Sequence, residues 1–287
     1  MNKIIIIDGG AGRVITAIPA LERYITEHPE ENVKIFVFGW DALFWSHPLL
    51  QSRSFNIEDK GTFDNHFRNA DSVIHPEPYK LPAYYNQKVS LSEAFDILIN
   101  GDAQATKIPK LYLSKQEIID GKNIIEDVKK FQPNKKTVVI QPFGSGSVLR
   151  APEVSDNTTR SFSVPMYYKL ASEIRRHYNL IIFSDTQFHF SDDNYSFKLS
   201  GTLRTHMAAI NASDYFIGCD SVGQHMARAF NKPGCVIFGS TFPFSVSYPD
   251  WFKIIDNKKD SRVYSPLRIN GTYCNMADRL NEGCMDY

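Results

Sequence analysis

The chain has 287 residues, 43% of them apolar, 22% charged and 13% aromatic, with 32 basic and 32 acidic side chains. That length suits one large domain or two of about 130–150 residues, and the neutral balance excludes a dedicated nucleic-acid binder with a basic stripe. The opening MNKIIIIDGG is too short an apolar run for a signal core, and no other stretch approaches the about 18 apolar residues of a membrane span. A cytoplasmic protein without membrane insertion is therefore expected.

Residues 3–8 read as a doubly buried strand, followed by the turn Gly9-Gly10-Ala11-Gly12 and a helix over 13–27. Pro19 lies inside that helical pattern and predicts a kink or a helix start there. A second strand is expected over 33–38, then an aromatic- and proline-rich stretch over 41–92 with an apolar piece at 71–74. Residues 95–100, FDILIN, read as a further strand ending at Gly101-Asp102, and 114–131 as a helix.

The polar, proline-bearing Gln132-Pro-Asn-Lys-Lys136 is the linker candidate, giving domains 1–133 and 134–287. The plan then restarts with a strand over 137–142 running into Phe143-Gly-Ser-Gly-Ser147, and 148–162 reads as an open loop. Helices over 164–177 and 202–212, the second capped by Thr202, alternate with strands over 179–184, 214–219 and 235–239. Such alternation predicts an α/β protein with two Rossmann-like halves, whose ligands sit beyond the carboxyl ends of the strands.

The stretch GCDSVGQHMARAF at 218–230 places Asp220, Ser221, Val222, Gly223 and His225 where a buried strand turns into a helix. N–H groups at a helix start attract anions, glycine allows a diphosphate to approach the backbone, and His225 shares a face with Ser221. A plain capped helix explains the same residues equally well.

Residues 200–249 resemble the heptosyltransferase-like glycosyltransferases of family 9. The resemblance is carried by Leu203, by Ala212-Ser213-Asp214, by Asp220-Ser221 with His225, and by Phe238-Gly239-Ser240-Thr241. GGAGRVITAIPAL at 9–21 and TTRSFSVP at 158–165 are similar to two further family motifs. The resemblance implies a GT-B fold, two Rossmann-like domains facing across a cleft. It also implies a nucleotide-diphosphate sugar as donor, a hydroxyl-bearing acceptor and no required metal or other cofactor. Carried over, Gly12, Ser145, Gly146, Ser147, Arg160, Asp220, Ser221, Val222, Gly223, His225 and Thr241 would surround the donor, with Asp185 and Thr186 approaching its nucleoside.

Inverting transfer needs a base for the acceptor proton. The family's turn supplies a carboxylate in Gly-Asp-Val, but this chain has Gly12-Arg13-Val14, and arginine stays protonated. Three readings compete. Asp8 or Asp102, expected at strand ends, takes over as catalytic base. Arg13 instead clamps an acceptor phosphate or the departing diphosphate. Or the protein binds a nucleotide sugar without transferring it. Trp40 and Trp45, after the second strand, are candidates to stack on an acceptor. The residues do not single out the acceptor: a lipopolysaccharide core sugar, another small glycan and a modified nucleobase all fit a GT-B frame, so nucleic acid enters only as acceptor.

A nicotinamide-dependent oxidoreductase is the competing class, from Gly10-x-Gly12 and Asp41, but Ile15 stands where the third glycine belongs. Neither GxSxG nor HExxH is present. His66 and His189 read as surface or structural residues. Cys219, Cys235, Cys274 and Cys284 show no CxxC spacing and read as thiols.

Overall fold

The computed structural model describes residues 1–130, 132–150, 153–156, 158–184, 201–239 and 241–257, with backbone alone for 196–198, 268–269 and 272–273. The chain divides into two compact units, passing from the first to the second between Leu113 and Ser114.

In the first unit, strands β1 (Asn2–Ile7), β2 (Asn32–Val37), β3 (Ser54–Asn56) and β4 (Ser72–Ile74) form one parallel sheet in the order β3-β2-β1-β4. Ile4, Ile5 and Ile7 of β1 are buried because the strand is central, with neighbours on both sides. Helix α1 (Ala11–Glu27) packs Val14, Ile15, Ile18 and Leu21 inward. It begins at Ala11 and runs through Pro19, which therefore does not start it.

FDILIN is not a strand. It lies in α3 (Leu91–Asn100), after the single-turn helix α2 (Pro82–Tyr85). Ser90 and Glu93 form a capping box at its start, and Gly101 ends it in a left-handed conformation at φ 92°. Asn100 Nδ2 donates to Ala20 O of α1 at 3.1 Å, fixing the pair of helices.

The second unit opens with helix α4 (Lys115–Lys129). The sequence reading assigned this helix to the first half; its packing joins it to the second unit. Gly121 lies against the backbone carbonyl of Ala208 in α6 (Leu203–Ala212), where a side chain would not fit. Arg204 of α6 donates to both oxygens of Glu117, at 2.7 and 2.6 Å, and this holds the Glu117 carboxyl down to about 2. The expected linker is likewise a folded turn: Asn179 Nδ2 donates to the carbonyls of Gln132 and Lys135.

A six-stranded parallel sheet follows in the order β12-β11-β10-β5-β8-β9, with an antiparallel hairpin β6 (Ser147–Arg150) and β7 (Glu153–Asp156) beside it. Its strands are β5 (Thr137–Gln141), β8 (Asn179–Ile182), β9 (Ser196–Lys198), β10 (Tyr215–Cys219), β11 (Gly234–Phe238) and β12 (Lys253–Asp256). The hairpin replaces the open loop expected over 148–162. Helices α5 (Val164–Arg175), α6, α7 (Val222–Ala229) and α8 (Pro243–Val246) complete the unit. Thr202 caps α6 as expected, accepting from Thr205 N. Among the described residues no helix is long and apolar enough to cross a membrane.

Candidate functional site

Each parallel sheet has one place where successive connections leave in opposite directions, and ligands bind at such a switch point beyond the strand ends. In the second unit the chain runs from β5 outward to β8 and β9, then returns to β10 on the other side of β5. The switch point therefore lies between β5 and β10, whose carboxyl ends are Gln141 and Cys219. In the first unit it lies between β1 and β4.

The sequence reading expected Ser221 to start α7 and offer its hydroxyl to a ligand. Ser221 is the residue before the helix, but its side chain makes no cap. Gln141 does this work from β5: its Oε1 accepts from Gly223 N at 2.8 Å, and its Nε2 donates to Ser221 Oγ at 3.1 Å. Gly223 is required by close packing on Gln141 and the Phe216 ring, which a β-carbon would meet at 2.8 Å. That is a correction: the glycine serves the sheet–helix contact, and its N–H is already bonded.

Asp220 is buried and accepts from Gln224 Nε2 and from Thr241 Oγ1, each at 2.7 Å. Gln224 Oε1 accepts from Ser247 Oγ at 2.6 Å, so the ends of β10 and β11 and the segment after α8 share one chain of hydrogen bonds. Burial pushes the Asp220 carboxyl above its ordinary range, opposed by the nearby Arg160 guanidinium and the bonds from Thr241 and Gln224. Thr241 thus reaches the site by bonding Asp220.

His225 is buried, shares a hydrogen bond of 3.0 Å with Tyr248, and is pushed down to about 3 by desolvation. It is therefore neutral near pH 7 and can offer a ligand a hydrogen bond but no charge. The charge comes from Arg160, whose Nη1 donates to Asp220 O at 3.4 Å and whose Nε donates to Thr158 at 2.9 Å. A half-buried guanidinium is thereby set beside the start of α7.

The turn holding Ser145, Gly146 and Ser147 is organised by Asp156, which the sequence reading missed. This fully buried carboxylate accepts from the backbone N–H groups of Thr158 (2.8 Å) and Ser161 (3.0 Å) and from both hydroxyls. Ser161 Oγ in turn accepts from Gly144 N at 2.9 Å, and Gly146 leaves no room for a β-carbon beside Asp156. Ser145 itself is exposed. Asp185, Thr186, His189, Cys274 and Cys284 lie outside the described residues.

At the switch point of the first unit, Arg13 is buried and engaged by its own unit. Its Nη2 lies 2.7 Å from Asp8 Oδ1 and donates to Pro76 O at 3.1 Å, while Nη1 donates to Glu77 at 3.2 Å. It also stacks over Tyr79 and Phe95. Both Nη atoms are thus turned to partners in its own unit, while Nε is buried without a hydrogen-bond partner, so the fork is not presented to a phosphate. Gly12 sits in the first turn of α1, and Trp40 donates its indole N–H to Gly9 O at 3.0 Å, pinning that turn. Trp45 is half exposed.

Asp102 does not end a strand. It follows α3, where it pairs with Arg23 and accepts from Gln104 at 2.7 Å. Ile15 is wholly buried in α1, which leaves no glycine approach for a dinucleotide. His66 lies against Phe36, Phe55 and Lys34, a structural setting as expected. Among the described residues, His28, Glu30 and Glu31 form the grouping with metal-ligand spacing, and Glu31 already pairs with Lys3.

No family model matches the chain, and no curated protein matches it. Solved structures do. A glycosyl transferase family 9 protein from Veillonella parvula superposes with a TM-score of 0.63 at 11% identity, covering 90% of this chain and 87% of that one. An ADP-heptose lipopolysaccharide heptosyltransferase II from E. coli gives 0.65 at 13% identity, covering 95% of each. The E. coli heptosyltransferase WaaC with ADP gives 0.57 at 10%, covering 89% and 93%. At these identities the likeness is one of fold, two Rossmann-like domains of the GT-B kind.

Proposed function

Starting from the fold these structures share, we propose that this protein is a glycosyltransferase that moves a sugar from a nucleoside-diphosphate sugar to a hydroxyl acceptor. The donor diphosphate lies at the β5–β10 switch point of the second unit. The observation that carries this reading is the placement of Arg160 at the start of α7. A guanidinium and the positive end of a helix both attract an anion, so their placement side by side favours a diphosphate there. His225, neutral, adds a hydrogen bond. The solved neighbours' bound groups, ADP and ADP-2-deoxy-2-fluoro heptose, favour an adenosine diphosphate sugar.

The acceptor enters from the first unit, with proton transfer at the β1–β4 strand ends rather than at Asp102. Transfer with inversion and without a metal is part of the proposal, and turnover that survives EDTA supports it. The acceptor stays a glycan or nucleobase hydroxyl, with Trp45 a stacking surface for it.

A melting-temperature panel with ADP, GDP, UDP, CDP, their sugar conjugates and NAD tests the reading. A ligand at a hundredfold excess over its Kd adds about 2.7 kcal/mol. Stabilisation by ADP and ADP-sugars is expected, strongly reduced in Arg160→Ala and less so in His225→Ala. Stabilisation by NAD alone, or by no nucleoside diphosphate, refutes it.

A further inference from the structure

The Asp8 cluster contains a residue with no assigned role. β1 and β4 are parallel neighbours with Ile5 opposite Ile74, so Asp8 and His75 leave the sheet from the same edge, at the switch point. His75 Nε2 lies 3.4 Å from Asp8 Oδ2. The other oxygen, Oδ1, faces Arg13 at 2.7 Å. Arg13 also holds Pro76 and Glu77, the two residues directly after His75. One buried cation thus fixes both the carboxylate and the segment that carries the imidazole.

Exposure rises along the series. The side chains of Arg13, Asp8 and His75 are 3%, 22% and 51% exposed. The innermost group has both Nη atoms engaged, the middle one has each oxygen opposite a cationic or imidazole partner, and the outer ring has its second nitrogen, Nδ1, without a partner among the described residues. The charged groups around His75 are Asp8 from the end of β1, Arg13 from α1 and Glu77 on its own segment.

We propose that His75 is the catalytic base for the acceptor hydroxyl and that Asp8 is its positioning residue; this rests on the glycosyltransferase reading above. Asp8 holds the ring as the Nε2–H tautomer and steadies the imidazolium, leaving the Nδ1 lone pair for the acceptor. The acceptor O–H gives its proton to Nδ1 as its oxygen bonds the anomeric carbon. The bond from that carbon to the diphosphate oxygen breaks, and its electron pair leaves with the nucleoside diphosphate. His75 then releases the proton to solvent. An imidazole suits this task near neutral pH better than a carboxylate, whose ordinary proton affinity is about two pH units weaker. Arginine at position 13 is then compatible with catalysis, because the base is displaced to the neighbouring strand and the guanidinium organises it.

The test uses ADP-heptose with water as acceptor, following ADP release from pH 5 to 9, alongside ADP binding by melting temperature. In His75→Gln, ADP binding is expected within twofold of the parent, while release falls about a hundredfold or more and the acidic limb of the pH profile disappears. In Asp8→Asn the loss is smaller, since the ring keeps its place on the segment but loses the carboxylate that orients it. Release and acidic limb unchanged in His75→Gln overturn the assignment while leaving the transferase reading intact. Absence of both ADP binding and ADP release in the parent overturns that reading instead. Nitrogen-15 spectra of the His75 ring need no donor: an Nε2–H tautomer, lost in Asp8→Asn, is expected, and an Nδ1–H tautomer in the parent overturns the proposal.

Discussion

Gln141 and Gly223, 82 positions apart, are joined by a 2.8 Å hydrogen bond in which the end of β5 caps the start of α7. The bond also explains why position 223 is glycine. Gly223→Ala would drive a β-carbon into Gln141 and the Phe216 ring, and overpacking of this kind costs about 1–3 kcal/mol. Urea denaturation of the variant measures the loss, and an unchanged midpoint would mean that the packing relaxes freely.

Asp156 offers a sharper contrast. Asp156→Ala would leave the buried N–H of Ser161 without its acceptor, costing about 1–3 kcal/mol, and would also remove the acceptor of the half-buried Thr158 N–H. Nucleotide affinity should fall as well, because the same carboxylate holds the Gly144–Ser147 turn and the Arg160 segment. Denaturation and nucleotide-dependent melting on one preparation separate the two effects, and a stable variant with normal ADP binding would contradict the role given to Asp156.

Acid should weaken the fold through His225. Its ring is pushed from 6.5 down to about 3, so between those values the unfolded chain binds a proton that the folded chain does not. The contribution is intact above pH 6.5 and is lost on acidification at up to about 1.4 kcal/mol per pH unit. His225→Gln should flatten the dependence of stability on pH between 4 and 6. His47, buried and pushed down to about 4, keeps a share of the acid sensitivity in that variant. An unaltered slope would show that His225 titrates normally.

Arg13 is expected to matter for folding before it matters for chemistry. Arg13→Ala leaves Asp8 and Glu77 without their shared cation, but their side chains are 22% and 23% exposed, so the cost stays below the about 3–5 kcal/mol of breaking a fully buried pair. Arg13→Asp should be worse, since three carboxylates would then face one another. Placing an aspartate at this position is therefore expected to lower the melting temperature of the protein rather than raise its activity. An active, stable Arg13→Asp variant would mean that the turn can rebuild around a carboxylate.

How much of this was legible in the chain divides along physical lines. Period and punctuation announced most elements: the isoleucine run of β1, the Thr202 cap of α6 and the strand–helix junction at 218–222 depend on neighbours in sequence. FDILIN was misread because a short apolar run fits strand and helix alike. The capping box Ser90–Glu93 and Gly101 were the local signals that decide it. The resemblance to family 9 rested on such local motifs too, and it led to the correct fold.

The sequence by itself determined the alternation of buried strands and amphipathic helices, hence two Rossmann-like halves, because hydrophobic burial follows spacing along the chain. Only the tertiary structure decided which polar groups meet at the strand ends. Strand order is set by long-range packing, and it brings His75 to Asp8 and Gln141 to Gly223 across stretches with no shared local signal. Burial then fixed the charges, holding His225 neutral and tying Arg13 into its own unit, since desolvation depends on what surrounds a group rather than on its neighbours in sequence.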